Sequence, residues 1–356
     1  MSQRRLDESD IRSRPNRHGT RPRTKQRPEH ADAITALVTG VDRGRYTLLV
    51  AEGGPHEHRA VAMKARELGR DRVVPGDRVD VVGDTTGVPG SLSRIVRIAP
   101  RSTVLRRSAD DTDAIERVIV ANADQLVIVT ALADPEPRTR MIDRCVVAGY
   151  DAGMDVLLCL TKADLADPAD LIAMYAPIGV AVVVTRRGPD CEIEPLADVR
   201  QSLAGRTSVL VGHSGVGKST LVNALVPDAD RAVGIVNDVT GRGRHTSSSA
   251  IALRMPAGTL ASGWVIDTPG VRSFGLAHVK LENLLAPFSD LALVAQECPR
   301  GCTHADDAPD CHLDEWVDAA DQTRAARAAR LESFRRLLAS RSGTIGSPDS
   351  PERESR

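Results

Sequence analysis

Thr207-Ser-Val-Leu-Val211, followed by Gly212-His213-Ser214-Gly215-Val216-Gly217-Lys218-Ser219, decides how this chain folds. The first five residues are an apolar run of strand length. The next eight match G-x-x-x-x-G-K-[ST], and Lys218–Leu225 reads as a helix that Pro227 ends. Strand, glycine loop and helix N-terminus in that order make a P-loop. The glycines let backbone N–H groups curl around phosphates, and the helix dipole adds to the anion site. Lys218 is placed to contact the β and γ phosphates, Ser219 to ligate Mg²⁺, and Thr220 continues the nucleotide-facing turn.

Two further motifs lie outward from this loop. Trp264-Val-Ile-Asp267-Thr-Pro-Gly270 is an apolar strand ending in D-x-x-G. Asp267 stands where Mg²⁺ takes a direct or water-mediated carboxylate, and Gly270 lets a backbone N–H approach the γ-phosphate and swing when that group leaves. Upstream, Thr161-Lys162-Ala163-Asp164 follows the apolar run Asp155–Leu160 and resembles the [NT]-K-x-D guanine reader of regulatory GTPases. A carboxylate at Asp164 accepts from both the N1–H and the 2-amino group of guanine, a pair that adenine lacks. Lys162 lies along the base plane. Thr161 replaces the commoner Asn, so one hydrogen bond tying this loop to the P-loop is expected to differ. Of the five lysines (25, 64, 162, 218 and 280), two fall in these two motifs.

Motif order carries its own information. Regulatory GTPases run P-loop, switch threonine, D-x-x-G and then the guanine reader. Here Thr161–Asp164 precedes the P-loop, and the one lysine after Gly270, Lys280, sits in an unrelated context. That is the order of a circularly permuted GTPase. Permutation leaves such a site intact, because ligands bind at the carboxyl ends of the strands whichever strand comes first.

Around these motifs the chain divides by composition. Residues 1–30 are Arg- and Pro-rich without apolar periodicity and read as a disordered basic tail. Ile34–Val38, Tyr46–Val50, Arg59–Met63, Arg78–Val82 and Ser93–Ile98 are short strand-like runs separated by Gly and Pro, as in a small antiparallel barrel or another small β domain. From about 115, strand candidates Gln125–Leu132, Asp155–Leu160, Val180–Thr185, Thr207–Val211 and Ala261–Asp267 alternate with helical stretches such as Met141–Ala148, the pattern of a doubly wound parallel sheet. A long Ala/Arg helix is expected from Leu313 to Ala339, and residues 342–356 read as a disordered tail. The expected division is a barrel over 31–104, a nucleotide domain over 105–285 and a cysteine-bearing domain over 286–341.

The 356 residues carry a net charge of −1, distributed unevenly. Residues 1–30 hold nine basic against four acidic side chains, and 321–341 six against two. Basic ends around an acidic middle suggest either contact with a polyanion or a solubilising surface. Aromatics are only 2%, so base-stacking platforms are scarce. No apolar run is long enough to span a membrane and the N-terminus has no apolar core, so a cytoplasmic protein with no membrane partner is expected.

Three of the six cysteines cluster as Cys298-x₃-Cys302-x-His304-x₆-Cys311. Three thiolates and an imidazole suit a closed tetrahedral Zn²⁺ site. Cys145 and Cys159 fall in helix and strand contexts expected in the core; Cys191 is unassigned.

Over residues 31–340 the sequence resembles the ribosome small-subunit-dependent GTPase A family. The resemblance rests on Pro100-Arg-Ser-Thr-Val-Leu-Arg106, Thr161–Asp164, Gly212–Ser219, Val236-Asn-Asp-Val-Thr-Gly-Arg-Gly-Arg-His-Thr246, Asp267–Gly270 with Val271-Arg272, and the cysteine cluster. It implies a multidomain chain: an OB-type RNA-binding barrel, a circularly permuted α/β P-loop GTPase domain and a C-terminal zinc-binding helical domain. It also implies a late role in maturing the small ribosomal subunit, with GTP hydrolysis to GDP stimulated by that subunit and its rRNA as partner, one structural Zn²⁺ and Mg²⁺ with GTP; a monomer is expected. The family's usual zinc spacing is C-x₄-C-x-H-x₅-C. The shifted gaps here make His312 an alternative ligand to Cys311.

Gly241-Arg-Gly-Arg-His245-Thr246 looks like switch I, in which Thr246 completes the Mg²⁺ sphere and senses the γ-phosphate. Val271 stands where a Ras-type protein has its water-orienting Gln, so another group must position the water; His245 is the nearest candidate, and the resemblance points the same way. Three readings compete: a GTPase checkpoint on the small subunit, an unrelated P-loop ATPase or kinase, and a nucleotide-gated RNA-binding module that barely hydrolyses. Asp164 argues against the second.

Overall fold

The computed structural model describes residues 30–108, 116–227, 250–256, 261–268, 274, 279, 281–285, 287–320 and 323–342. The N-terminal runs fold as β1 (Ile34–Asp42), β2 (Arg45–Val50), β3 (His58–Lys64), β4 (Arg78–Gly83) and β5 (Ser93–Ile98). They pair in the order β1-β2-β3-β5-β4 and close through β1 with β4, with only β3 and β5 parallel. Side chains alternate across a strand, so Ala36 and Val38, Leu48 and Val50, Ala60 and Ala62, and Val79 and Val81 all point into one barrel core with Ile95. Closure removes the unpaired edges that five short strands would otherwise expose.

A hairpin, β6 (Val104–Ser108) and β7 (Glu116–Ala121), leads to the α/β part. This comprises β8 (Gln125–Ala131), α1 (Thr139–Asp151), β9 (Asp155–Thr161), α2 (Ala169–Tyr175), β10 (Ala181–Val184), the small pair β11 (Arg186–Arg187) and β12 (Ile193–Glu194), α3 (Leu196–Leu203), β13 (Thr207–Val211), α4 (Lys218–Leu225), β14 (Ile251–Arg254) and β15 (Trp264–Asp267). Strand order is β10-β9-β8-β13-β15-β14; the first five are parallel and β14 is antiparallel. Every residue of β8 is buried, as a parallel strand covered on both faces requires. Its Leu126 and Ile128 join the core on one face, and Val127, Val129 and Ala131 the core on the other.

The two sheets are one. Gly40 of β1 pairs with Ile251 of β14, which makes a continuous ladder of 11 strands. Side chains reinforce the junction: Arg254 Nη1 donates to Glu57 Oε1 at 2.7 Å, and Trp264 Nε1 to Glu52 Oε1 at 3.2 Å. On the far side Gly76 lies so close to the end of β7 that a Cβ would come within 1.9 Å of the Ala121 carbonyl oxygen, and its φ is +88°. Only glycine meets both conditions.

The C-terminal part is α5 (Leu281–Leu285), α6 (Ser289–Ala295), α7 (His312–Asp318) and α8 (Arg324–Ser342). The single helix expected from Leu313 to Ala339 is therefore two. α7 ends at Asp318, and Thr323, of a residue type suited to a helix N-terminus, accepts the bond from Arg327 N–H that starts α8. The break lets Leu313 of α7 and Leu331, Phe334 and Leu337 of α8 enter the same core, which α1, β8 and β9 also line. Phe288 packs edge-on against Phe334 at 5.5 Å and against Tyr150 of α1 at 6.3 Å. Cys145 and Cys159 are buried, as expected, and Cys191 is exposed.

Candidate nucleotide site and metal cluster

β9, β13 and β15 end at one edge of the sheet, β8 lying between the first two, and bring the sequence motifs together. The loop Gly212–Gly217 leaves β13 and enters α4 through Gly217, whose φ of +92° is left-handed backbone suited to glycine. Val216 is buried beneath the loop, whereas Ser214, Gly215, Ser219 and Thr220 face solvent. His213 Nδ1 lies 3.2 Å from the Ser214 carbonyl. Asp267 ends β15 in register with Leu210, and its carboxylate is ion-paired to Nζ of Lys218. The next residue, Thr268, is buried and donates from Oγ1 to the Leu210 carbonyl at 2.7 Å, which holds the exit of β15 against β13.

On the other side of β13, Thr161 ends β9 opposite Ala131 of β8. The tie between this loop and the P-loop, expected to differ with Thr in place of Asn, is present: Thr161 Oγ1 donates to the Val216 carbonyl at 2.6 Å and is itself buried. Lys162 Nζ donates to the Asp134 carbonyl in the loop after β8. Ala163 N–H donates to the Thr185 carbonyl at 3.1 Å. Asp164 is exposed, and its Oδ1 accepts from the Arg187 backbone N–H at 3.0 Å. That backbone donor, first among its surroundings, holds the Asp164 carboxyl below the ordinary carboxylate range, so it is ionised and able to accept from N–H donors. Asp134, Thr185 and Arg187 were not singled out by sequence. Their signal is positional: β8 and β10 flank β9, so the loops after them must border the reader.

His245, Thr246, Gly270 and Val271 lie outside the described residues.

The second cluster lies between α6 and α7. One ligand atom from each of Cys298, Cys302, His304 and Cys311 falls within 4.8 Å of every other. Cys311 Sγ and His304 Nδ1 are 3.7 Å apart. A tetrahedral ion with thiolates at about 2.3 Å needs ligand edges of about 3.7 Å, so these four residues fit one. Burial, and then the charge of Arg335, hold His304 below the ordinary histidine range, which keeps the imidazole neutral and able to ligate. Arg335 braces the loop by donating to the His304 carbonyl at 3.1 Å and bidentately to Asp314 at 2.7 and 2.8 Å. His312, the sequence alternative, is turned toward Glu297, 3.9 Å away, and the four-residue cluster contains Cys311 instead.

The basic C-terminal stretch, expected either to meet a polyanion or to solubilise the surface, pairs much of its charge within the fold, although Arg324 stays exposed. Arg324 pairs with Asp318, Arg330 with Asp290, Arg335 with Asp314 and Arg336 with Asp143, while Arg327 stacks on Trp316 at 4.4 Å. None of the eight Phe, Trp and Tyr residues is exposed, in keeping with the expected scarcity of stacking platforms. Among the described residues no helix is long and apolar enough to cross a membrane.

A family model described as RsgA GTPase matches residues 98–277. The small ribosomal subunit biogenesis GTPase RsgA of Pseudomonas fluorescens (strain SBW25) is 37% identical over 275 residues, 75% of each chain. Its counterpart in Ectopseudomonas mendocina (strain ymp) is 38% identical over 253 residues, 69% of each chain. Two solved structures share the fold. YjeQ from Thermotoga maritima superposes with a TM-score of 0.59 at 24% identity, over 86% of this chain and 99% of that one. YloQ, described as a circularly permuted GTPase, gives 0.58 at 22% identity, over 90% and 98%. With a family model over half of its length, relatives at 37–38% identity and its T-K-x-D motif ahead of its P-loop, this chain belongs to the RsgA GTPase family.

Proposed function

We propose that this GTPase acts in biogenesis of the small ribosomal subunit, as a cytoplasmic monomer that binds the subunit and its rRNA and hydrolyses GTP to GDP and phosphate under the subunit's stimulation. The observation that supports the reading is the pairing of Lys218 with Asp267 and of Thr161 with Val216, which sets the P-loop, the acid of D-x-x-G and the T-K-x-D loop side by side.

In this reading Gly212–Thr220 wrap the phosphates, and Lys218 exchanges Asp267 for the β and γ oxygens. Asp164 reads guanine, with Lys162 along the base and Ala163 in the loop between them. Ser219, Thr246 and Asp267 would hold Mg²⁺, which when bound would supply positive charge to the phosphate oxygens. Gly270 senses that phosphate, and His245 orients the attacking water. Cys298, Cys302, His304 and Cys311 hold one structural Zn²⁺. The division into a barrel over 31–104, a GTPase domain over 105–285 and a zinc domain over 286–341 belongs to the same proposal. With no exposed aromatic, contact with rRNA rests on backbone charge and shape.

The test is GTP and ATP hydrolysis by the purified full chain, alone and with small ribosomal subunits. GTP-only turnover that rises with the subunit supports the proposal; GTP-only turnover indifferent to the subunit removes the partner. Val271 favours a second reading, a nucleotide-gated RNA-binding module with little hydrolysis. Single-turnover hydrolysis that is barely detectable both with and without subunits, while nucleotide still governs binding to them, would select it.

A further inference from the structure

His304 differs from the three cysteines of the metal cluster in its main chain. It alone of the four has a positive φ, +56°, left-handed backbone that few residues other than glycine adopt and that persists where the surroundings hold it. The residue is buried, and its carbonyl accepts from Nε of Arg335 at 3.1 Å, a donor 31 positions away in sequence. Arg335 reaches in from α8 with its side chain 12% exposed. Its terminal nitrogens are taken by Asp314 at 2.7 and 2.8 Å, and Asp306 Oδ1 lies 3.3 Å from its Nε. Asp314 stands in the first turn of α7, three residues after Cys311, and its N–H donates to the Cys311 carbonyl at 3.0 Å. One guanidinium thus joins the backbone at His304 to the turn that follows Cys311.

We propose that Arg335 is a positioning residue for the metal: by clamping the His304 carbonyl to Asp314 it keeps His304 in its left-handed conformation, with the imidazole set against Cys311. The inference rests on the zinc reading of the cluster. A guanidinium donating to a carbonyl is a charge-assisted bond, stronger than a neutral one. The planar fork matches the Asp314 carboxylate with two donors and leaves Nε for the carbonyl, which the single ammonium of lysine cannot reproduce in full. A ligand residue already held in an uncommon backbone conformation does not have to be driven there by the ion, so the ordering cost is removed from binding. Groups that orient a metal ligand without touching the ion typically govern affinity in this way. Loss of the clamp therefore weakens the imidazole's hold on the ion before that of the three thiolates.

The experiment measures the zinc Kd of the full chain by competition with a chromophoric chelator, and the absorption spectrum of its Co²⁺ form, for Arg335→Gln, Arg335→Lys, Asp314→Asn and the unsubstituted protein. Arg335→Gln is expected to weaken zinc by about 10- to 100-fold. Its cobalt bands should move toward those of His304→Ala, in which the imidazole is gone. Arg335→Lys, which keeps a charged donor, recovers part of the affinity, and Asp314→Asn, which frees Arg335 from its anchor, loses affinity by a smaller factor. A zinc Kd for Arg335→Gln within twofold of the unsubstituted value overturns the proposal. So does weaker binding that Lys does not relieve and that leaves the cobalt spectrum unchanged, since that marks a merely structural arginine. Should Arg335→Gln fail to fold, Asp314→Asn and Arg335→Lys decide, and unsubstituted zinc affinity in both overturns it. If the unsubstituted chain binds no zinc, the zinc reading fails and this proposal falls with it; if it binds one and Arg335→Gln binds equally well, only this proposal fails.

Discussion

The hydroxyl of Thr161 donates to the carbonyl of Val216 at 2.6 Å, and so joins the T-K-x-D loop to the P-loop within the protein itself. Thr161→Val removes the donor and leaves a buried carbonyl unpaired, a loss of about 1–3 kcal/mol. GDP affinity should fall by about 5- to 100-fold, with Thr161→Ser close to the unsubstituted protein. Titration with a fluorescent GDP analogue reads both; equal affinities for the Val and Ser variants would show that the tie is dispensable.

His245→Ala should abolish most single-turnover hydrolysis while GTP affinity stays near that of the unsubstituted chain, because water orientation is needed only in the transition state. Removal of such a group costs about 10²–10⁴-fold in rate. Equal loss of GTP binding would take the catalytic assignment away and leave a switch-loop contact.

The metal cluster predicts one zinc per chain by elemental analysis. Cys311→Ser or strong chelation should lower Tm and release the metal, whereas His312→Ala should do neither, since His312 faces Glu297 instead. Retention of one zinc in Cys311→Ser together with its loss in His312→Ala would reverse the ligand assignment.

Asp143 of α1 is buried, accepts from the Tyr175 hydroxyl at 2.9 Å and faces Arg336 of α8 at 3.2 Å. Burial pushes its carboxyl above the ordinary 3.8 despite the Arg336 charge and the Tyr175 hydroxyl. A carboxyl whose folded pKa is raised binds its proton more tightly folded than unfolded. Its contribution is thus most favourable at acid pH and is lost as pH rises from the ordinary value through the raised one. Arg336→Met strands the charge and should cost about 3–5 kcal/mol near neutrality. The deficit should shrink as the pH approaches 4, which urea unfolding at several pH values measures; a deficit independent of pH would mean that Asp143 is neutral throughout.

Much of the fold was legible because local rules and global packing agree. β5, β13 and α4 follow the expected runs residue for residue, and the three nucleotide motifs converge because ligand loops collect at the carboxyl ends of parallel strands. The break between α7 and α8 was not legible. The Ala- and Arg-rich run has good helix propensity, and Thr323, of a type suited to a helix N-terminus, is a weak local mark beside the shared core of Leu313 and Phe334 that demands a turn there. The inward use of the α8 arginines was hidden for a similar reason, since Asp143, Asp290 and Asp314 are remote in sequence and nothing local marks them as partners. Asp134 and Thr185 went unread because they serve the reader through their main-chain carbonyls, which any residue could supply.

Asp267, Ile251 and Gly40 stand in one row across three neighbouring strands. Asp267 is thus two ladder steps from the barrel, and the described residues from Ala33 onward form a single compact unit. In thermodynamic terms, the barrel gains part of its stability from a strand that lies beyond the P-loop in sequence. Heating should therefore melt barrel and nucleotide domain in one calorimetric transition, and GDP, although it touches only the second, should raise the melting temperature of both.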